Sequence, residues 1–157
     1  MLIAAAAVTS NIKEIILSGL SQIPKTSRLY EAINNVICQY DNGTSQKDCF
    51  ADIHNKFDEF TSHGWCHTIS NAMIVAASLL YGNGDFGKSI CMAVETGFDT
   101  DCNGATVGSI LGMANGISSI DDVWKKPINN KLHTSIFGVG TVNITDVVEL
   151  TMKHIEL

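Results

Sequence analysis

Proline is almost missing from this chain, at two residues in 157. A Pro-rich linker or extended polyproline segment is thereby excluded. Basic residues are also scarce: 10 Lys and Arg stand against 16 Asp and Glu, for a formal charge of −6. Phosphate contacts need a positive surface, so a general nucleic-acid binder is excluded as a class. An acidic protein that handles phosphorylated ligands would need a bridging cation. Charged residues make up only 17% against 45% hydrophobic, which excludes intrinsic disorder. The five cysteines, Cys38, Cys49, Cys66, Cys91 and Cys102, form no C-x-x-C pair. Neither a zinc knuckle nor a disulfide framework is expected, and the pattern points to a cytoplasmic protein. Residues 64–84 and 102–120 lack Asp, Glu, Lys and Arg, yet both contain asparagines and serines. They read as buried helices of a soluble domain rather than membrane spans. The apolar start, residues 1–8, lacks the basic region of a signal peptide.

What remains is a string of helices. Asn11 precedes Ile12, Ile15, Ile16 and Leu20 at helical spacing, and Pro24 ends that segment. Ser27 caps a second helix that stops at Asp41-Asn42-Gly43. Ser45 opens a third, with Phe50, Ile53, Phe57 and Phe60 inward, broken at His63-Gly64. Residues 67–81 are apolar nearly all round and so should be central. Asp85 caps a fifth helix through Val94, and a sixth runs from about Asn103 to Asn115. A short turn of helix is expected near Trp124, and a last helix from Thr145 to His154. Residues 137–142 alone resemble a strand, and they are rich in glycine. The expectation is a single all-α domain over residues 1–157, a compact orthogonal multi-helix bundle.

Gly104, Gly108, Gly112 and Gly116 recur every four residues. Each internal glycine costs a helix on the order of 1 kcal/mol against alanine. A face stripped of side chains lets another helix approach closely. Just before it stands Glu95-Thr96-Gly97-Phe98-Asp99-Thr100-Asp101-Cys102-Asn103. Asp99 and Asp101 offer hard oxygen ligands suited to Mg²⁺, Mn²⁺ or Ca²⁺. The plainer alternative is that Asp101 merely caps the helix and Asp99 is a turn residue. Gly82-Asn83-Gly84-Asp85 offers a second candidate: Gly82, Gly84 and Asp85 at a helix start could cradle a phosphate, or form a plain turn with a cap. Trp65, Trp124 and the histidines show no diagnostic spacing.

The run from Asn71 to Gly116 resembles the ADP-ribosylglycohydrolase family. The resemblance is carried by Asn71-Ala72, by Tyr81-Gly82-Asn83-Gly84-Asp85-Phe86, by Val94-Glu95-Thr96-Gly97-Phe98-Asp99-Thr100-Asp101, and by Gly104-Ala105-Thr106-Val107-Gly108-Ser109. It implies an all-α fold with a binuclear Mg²⁺ or Mn²⁺ centre. It also implies hydrolysis of the glycosidic bond between ADP-ribose and an acceptor. Asp99 and Asp101 match metal-ligand carboxylates of the family. Thr100, Cys102 and Asn103 are candidates to support the metal or the substrate. Cys102 stands where the family often has Ser or Thr, and a thiol is a poor ligand for a hard ion.

The family's other metal ligands form a Thr/Ser-Asp-Asp cluster ahead of this signature. The adjacent aspartates here, Asp121-Asp122, follow it. The resemblance therefore implies the C-terminal half of the family's chain: a truncated product, an expressed fragment or one part of a split protein. Residues 1–8 then read as the last turns of a longer helix. Such a chain should be weakly active or inactive alone, and should self-associate or take up a missing N-terminal half. No catalytic acid or base is assigned. The alternative is an inactive remnant acting as a helical ligand-binding or partner-binding domain.

Overall fold

The computed structural model describes residues 1–155. It divides into two compact units, Met1–Ser119 and Ile120–Leu157. The first is entirely helical. Its α-helices are α1 (Leu2–Ala6), α2 (Ile12–Leu20), α3 (Arg28–Asp41), α4 (Gln46–Lys56), α5 (Thr68–Gly82), α6 (Phe86–Glu95) and α7 (Thr100–Asn115). Single 3-10 turns lie at Gly64–Cys66 and Ile117–Ser119.

Most starts follow from local chemistry. Side-chain oxygens of Asn11, Ser27, Ser45 and Asp85 accept the backbone N–H three residues on, at 3.2, 3.1, 3.2 and 2.7 Å. His67 does the same for α5 with Nδ1, which accepts from the Ile69 N–H at 3.2 Å. Each such cap is worth about 1 kcal/mol. Burial is the larger effect, at about 1.5–3 kcal/mol per large apolar side chain. Every residue of α5 from Met73 to Leu80 is buried. This helix is the centre of the unit and packs on α2, α3, α4, α6 and α7.

The glycine stripe does what its spacing predicts. A Cβ on Gly104 would stand 3.1 Å from Val94, and one on Gly108 would stand 3.4 Å from Ile90. The apolar face of α6 thus lies on the bare face of α7. Their close packing fixes where α7 begins.

Three boundaries depart from expectation. α4 stops at Lys56 and does not continue to Phe60. Phe57 is extended at φ −133°, ψ 129°, and the Asp58 carboxylate captures the Phe60 N–H at 2.9 Å. Phe60 is 89% exposed, not inward. α7 begins at Thr100, a turn earlier than read, so Asp101 lies inside the helix. The third departure lies in the second unit. This unit holds α8 (Asp122–Lys125), a 3-10 turn at Lys126–Ile128, β1 (Lys131–His133), β2 (Thr141–Asn143) and α9 (Ile144–Ile155). The two strands pair antiparallel, with Leu132 opposite Val142. The extended stretch is therefore 141–143 rather than 137–142, because Gly138 and Gly140 take positive φ and turn the chain. No described residue of this unit is buried. No helix among the described residues is long and apolar enough to cross a membrane.

Candidate metal centre

The link from α6 to α7 reverses the chain in four residues. Gly97 and Phe98 both adopt left-handed backbone, at φ +85° and +60°. For phenylalanine that conformation costs roughly 1–2 kcal/mol, so something must hold it. Two side chains from outside the turn do so. Glu59 Oε2 accepts the Phe98 N–H at 2.7 Å, and Asn71 Oδ1 accepts the Asp99 N–H at 3.1 Å. The Phe98 ring is buried against His54, with centroids 5.0 Å apart.

Asn71 is the hub. Its Oδ1 also accepts from Asn103 Nδ2 at 2.7 Å. Its Nδ2 donates to the carbonyls of Trp65 and His67 at 2.9 and 3.0 Å. One amide on α5 therefore ties together the α5 entry, the turn and the first turn of α7. Asn103 is 2% exposed and is satisfied by this contact. Its amide supports the turn and does not face solvent.

Against this frame stand three donors, Asp99, Asp101 and Cys102. Their ligating atoms all lie within 4.8 Å of one another, the one such group of three among the described residues. Asp99 is half-buried, while Asp101 and Cys102 are exposed. Asp99 occupies the N-cap position of α7, yet its side chain makes no capping hydrogen bond. The carboxylate instead meets Cys102. The hydrogen bond from the thiol to Asp99, and then the charge of Asp99, push the Cys102 thiol above its ordinary range. Two of the three donors fit a hard divalent cation, and the thiol does not. Thr100 opens α7, and the Thr106 hydroxyl donates to the Cys102 carbonyl at 2.8 Å.

Asp99, Cys102, Asn103 and Thr106 border an open groove of about 630 Å³. Its walls are apolar, from Leu2, Ile16, Leu20, Ile23, Leu29 and Val75, and neither Lys nor Arg lines it. The Gly82/Gly84/Asp85 loop is not brought to this place. Asn115 Nδ2, in the last turn of α7, donates to the Gly84 carbonyl at 3.2 Å. A helix of 16 residues spans roughly 24 Å, so the loop sits about that far from Asp99. There the Asp85 carboxylate occupies the start of α6, and Gly82 is buried against Ser89. In the second unit, Asp122 is engaged with Lys125 at 3.3 Å and Lys126 at 3.0 Å, both exposed surface pairs.

In the sequence Glu59 stands beside Asp58 as an ordinary pair of acidic residues, and Asn71 is marked only by the resemblance. Neither residue has a local signature. Their partners lie 39 and 28 residues downstream.

The turn thus places Asp99 at the rim of the groove, with Asp101 beside it but outside the groove lining. The chain belongs to the ADP-ribosylglycohydrolase family, whose model matches residues 1–153. That family hydrolyses ADP-ribosylated substrates and is generally metal-dependent. No curated protein and no solved structure matches the chain.

Proposed function

We propose that this chain holds a divalent cation, Mg²⁺ or Mn²⁺, through Asp99 and Asp101, and hydrolyses the bond between ADP-ribose and its acceptor there. One observation carries the reading. Asp99 has the residue type and the position of a helix cap, but its carboxylate makes no capping bond and lies beside Asp101. A cation bound there would orient a ribose hydroxyl and water and lower the pKa of that water. The chain's own residues supply the rest. The apolar walls of the groove exclude water from one face of a ligand. Asn71 and Asn103 keep Asp99 in place through the turn. The groove has no basic side chain, so the pyrophosphate of ADP-ribose needs a cation or helix N–H groups to meet its charge.

The cluster offers two carboxylates, enough for one ion held weakly, since magnesium keeps most of its waters. A binuclear centre would need further carboxylates, brought by another segment or another copy of the chain. This favours a second reading, in which the domain binds ligand or a partner and turns nothing over. The specific observation behind it is that the described residues contain a single donor cluster, with a thiol in it. Release of ADP-ribose from ADP-ribosylated protein, measured with Mg²⁺ or Mn²⁺ and then with chelator, separates the two. Metal-dependent release that disappears in the Asp99→Asn/Asp101→Asn double variant supports the hydrolase. Absence of release with every cation, from folded protein, supports the binding domain.

A further inference from the structure

We infer that Glu59 is a positioning residue for the carboxylate pair, acting through the backbone of Phe98. The inference rests on the reading of Asp99 and Asp101 as cation ligands. Glu59 lies in the loop between α4 and α5, far in sequence from the turn it serves. Its Oε2 accepts the Phe98 N–H at 2.7 Å, shorter than the contacts of His54 with Thr96 and of Asn71 with Asp99, both at 3.1 Å. A second observation concerns the same carboxylate. Gly97 makes room for the same carboxylate: a Cβ there would stand 2.6 Å from Glu59 Oε2 and 3.0 Å from Oε1. The positive φ of Gly97 and the seat of Glu59 therefore require the same missing side chain.

The physical consequence is a choice between two backbones. Phe98 in the left-handed region is disfavoured on its own. A charge-assisted hydrogen bond from a backbone N–H to a carboxylate is stronger than a neutral one and works against that cost. Without it, Phe98 can relax toward ordinary backbone, and Asp99, its immediate neighbour, moves with it. Glu59 makes no ion pair among the described residues, so the backbone contact is its evident task. Glu59 is not one of the clustered donors.

The test uses the full chain and Mn²⁺ as the probe, with affinity read by paramagnetic resonance of the free ion, well below the melting temperature. Glu59→Ala should lose about tenfold to a hundredfold in Mn²⁺ affinity, as do residues that orient metal ligands. Glu59→Gln keeps an acceptor oxygen and should restore most of it. A role in general stability alone would lower the melting temperature in Glu59→Ala and leave Mn²⁺ affinity of the folded protein unchanged, which would overturn the proposal. Equal losses in Ala and Gln variants would overturn it too, since the acceptor would then not be what matters. Amide exchange at Phe98 and Asp99 gives a readout that needs no metal. It should accelerate in Glu59→Ala and stay slow in Glu59→Gln, with the interior of α7 unchanged. If the wild-type chain takes up no Mn²⁺, the ligand reading fails. Exchange at Phe98 and Asp99 then decides whether Glu59 holds the turn, and unaltered exchange in Glu59→Ala overturns it.

Discussion

Helices α6 and α7 both begin with an aspartate at the N-cap position, and they use it differently. At the start of α6, Asp85 Oδ1 accepts the Lys88 N–H at 2.7 Å. At the start of α7, Asp99 makes no such bond, and its carboxylate stays beside Asp101 and Cys102. The residue type cannot explain the difference, and the two backbones approach their helices differently. Asp85 enters α6 in ordinary extended conformation, at φ −72°, ψ 123°. Asp99 enters α7 at φ −86°, ψ 72°, straight after two left-handed residues. The Asp99 side chain caps none of the free N–H groups of its own helix. A cap worth about 1 kcal/mol is forgone here, and the carboxylate meets the Cys102 thiol instead.

The comparison breaks most visibly at Asp99 and Asp101. Asp99→Asn and Asp101→Asn should each abolish metal-dependent release of ADP-ribose, by at least about a hundredfold, since metal stabilisation of a transition state is worth several kcal/mol. Thermal stability should stay close to wild type, because neither carboxylate is a cap. Activity assays beside melting curves check both halves. A melting temperature that drops as activity does would mean Asp99 is structural after all, like Asp85.

A step smaller is Asn71→Leu. It removes the acceptor for Asp99 N–H and strands the amide of Asn103, which is 2% exposed. The unsatisfied amide costs about 1–3 kcal/mol of stability, and cation affinity should fall about tenfold to a hundredfold. Denaturant unfolding and Mn²⁺ titration measure the two effects. Intact affinity in the folded variant would remove Asn71 from the account of how Asp99 is held.

Gly97→Ala attacks the turn itself. Its φ is +85°, and the new Cβ would press on the Glu59 carboxylate. The cost should be on the order of 1–3 kcal/mol in unfolding free energy, with Mn²⁺ affinity lowered as well. Stability within error of wild type would mean the left-handed turn is not required.

What could be read from the sequence follows the range of the interactions. The caps at Asn11, Ser27, Ser45 and Asp85 bond to residues three positions away, so composition around each start betrays them. The glycine stripe announces the α6 and α7 packing because its period is a property of one helix. The Asp99/Asp101 pair is legible as a candidate for the same reason. The support of that pair is not. Glu59 and Asn71 reach it across 39 and 28 residues, and in sequence one looks like a solvated charge and the other like a helix polar residue. The end of α4 is not legible in the sequence, because Phe57 and Phe60 continue the apolar spacing while the Asp58 carboxylate takes the Phe60 N–H just past the helix. Likewise β1 has no apolar alternation to mark it, and only pairing with β2 makes it a strand.

The smallest expected effect sharpens the comparison from the other side. Asp85→Ala removes the α6 cap and should cost about 1 kcal/mol. In a domain of this size that shifts the melting temperature by a few degrees. Cation affinity and any hydrolysis should be unchanged, because Asp85 lies at the opposite end of α7 from Asp99. Asp85→Asn is the informative partner. Asparagine caps nearly as well as aspartate, so stability should recover. The same Asp→Asn change at position 99 should spare stability too, but there it removes a ligand charge. One substitution, made at two helix starts, thus tests the same point twice: silent at Asp85, and costly at Asp99 only when a cation is present. A loss of cation affinity in Asp85→Asn would dissolve the distinction, because it would place both helix starts in one charge-coupled site.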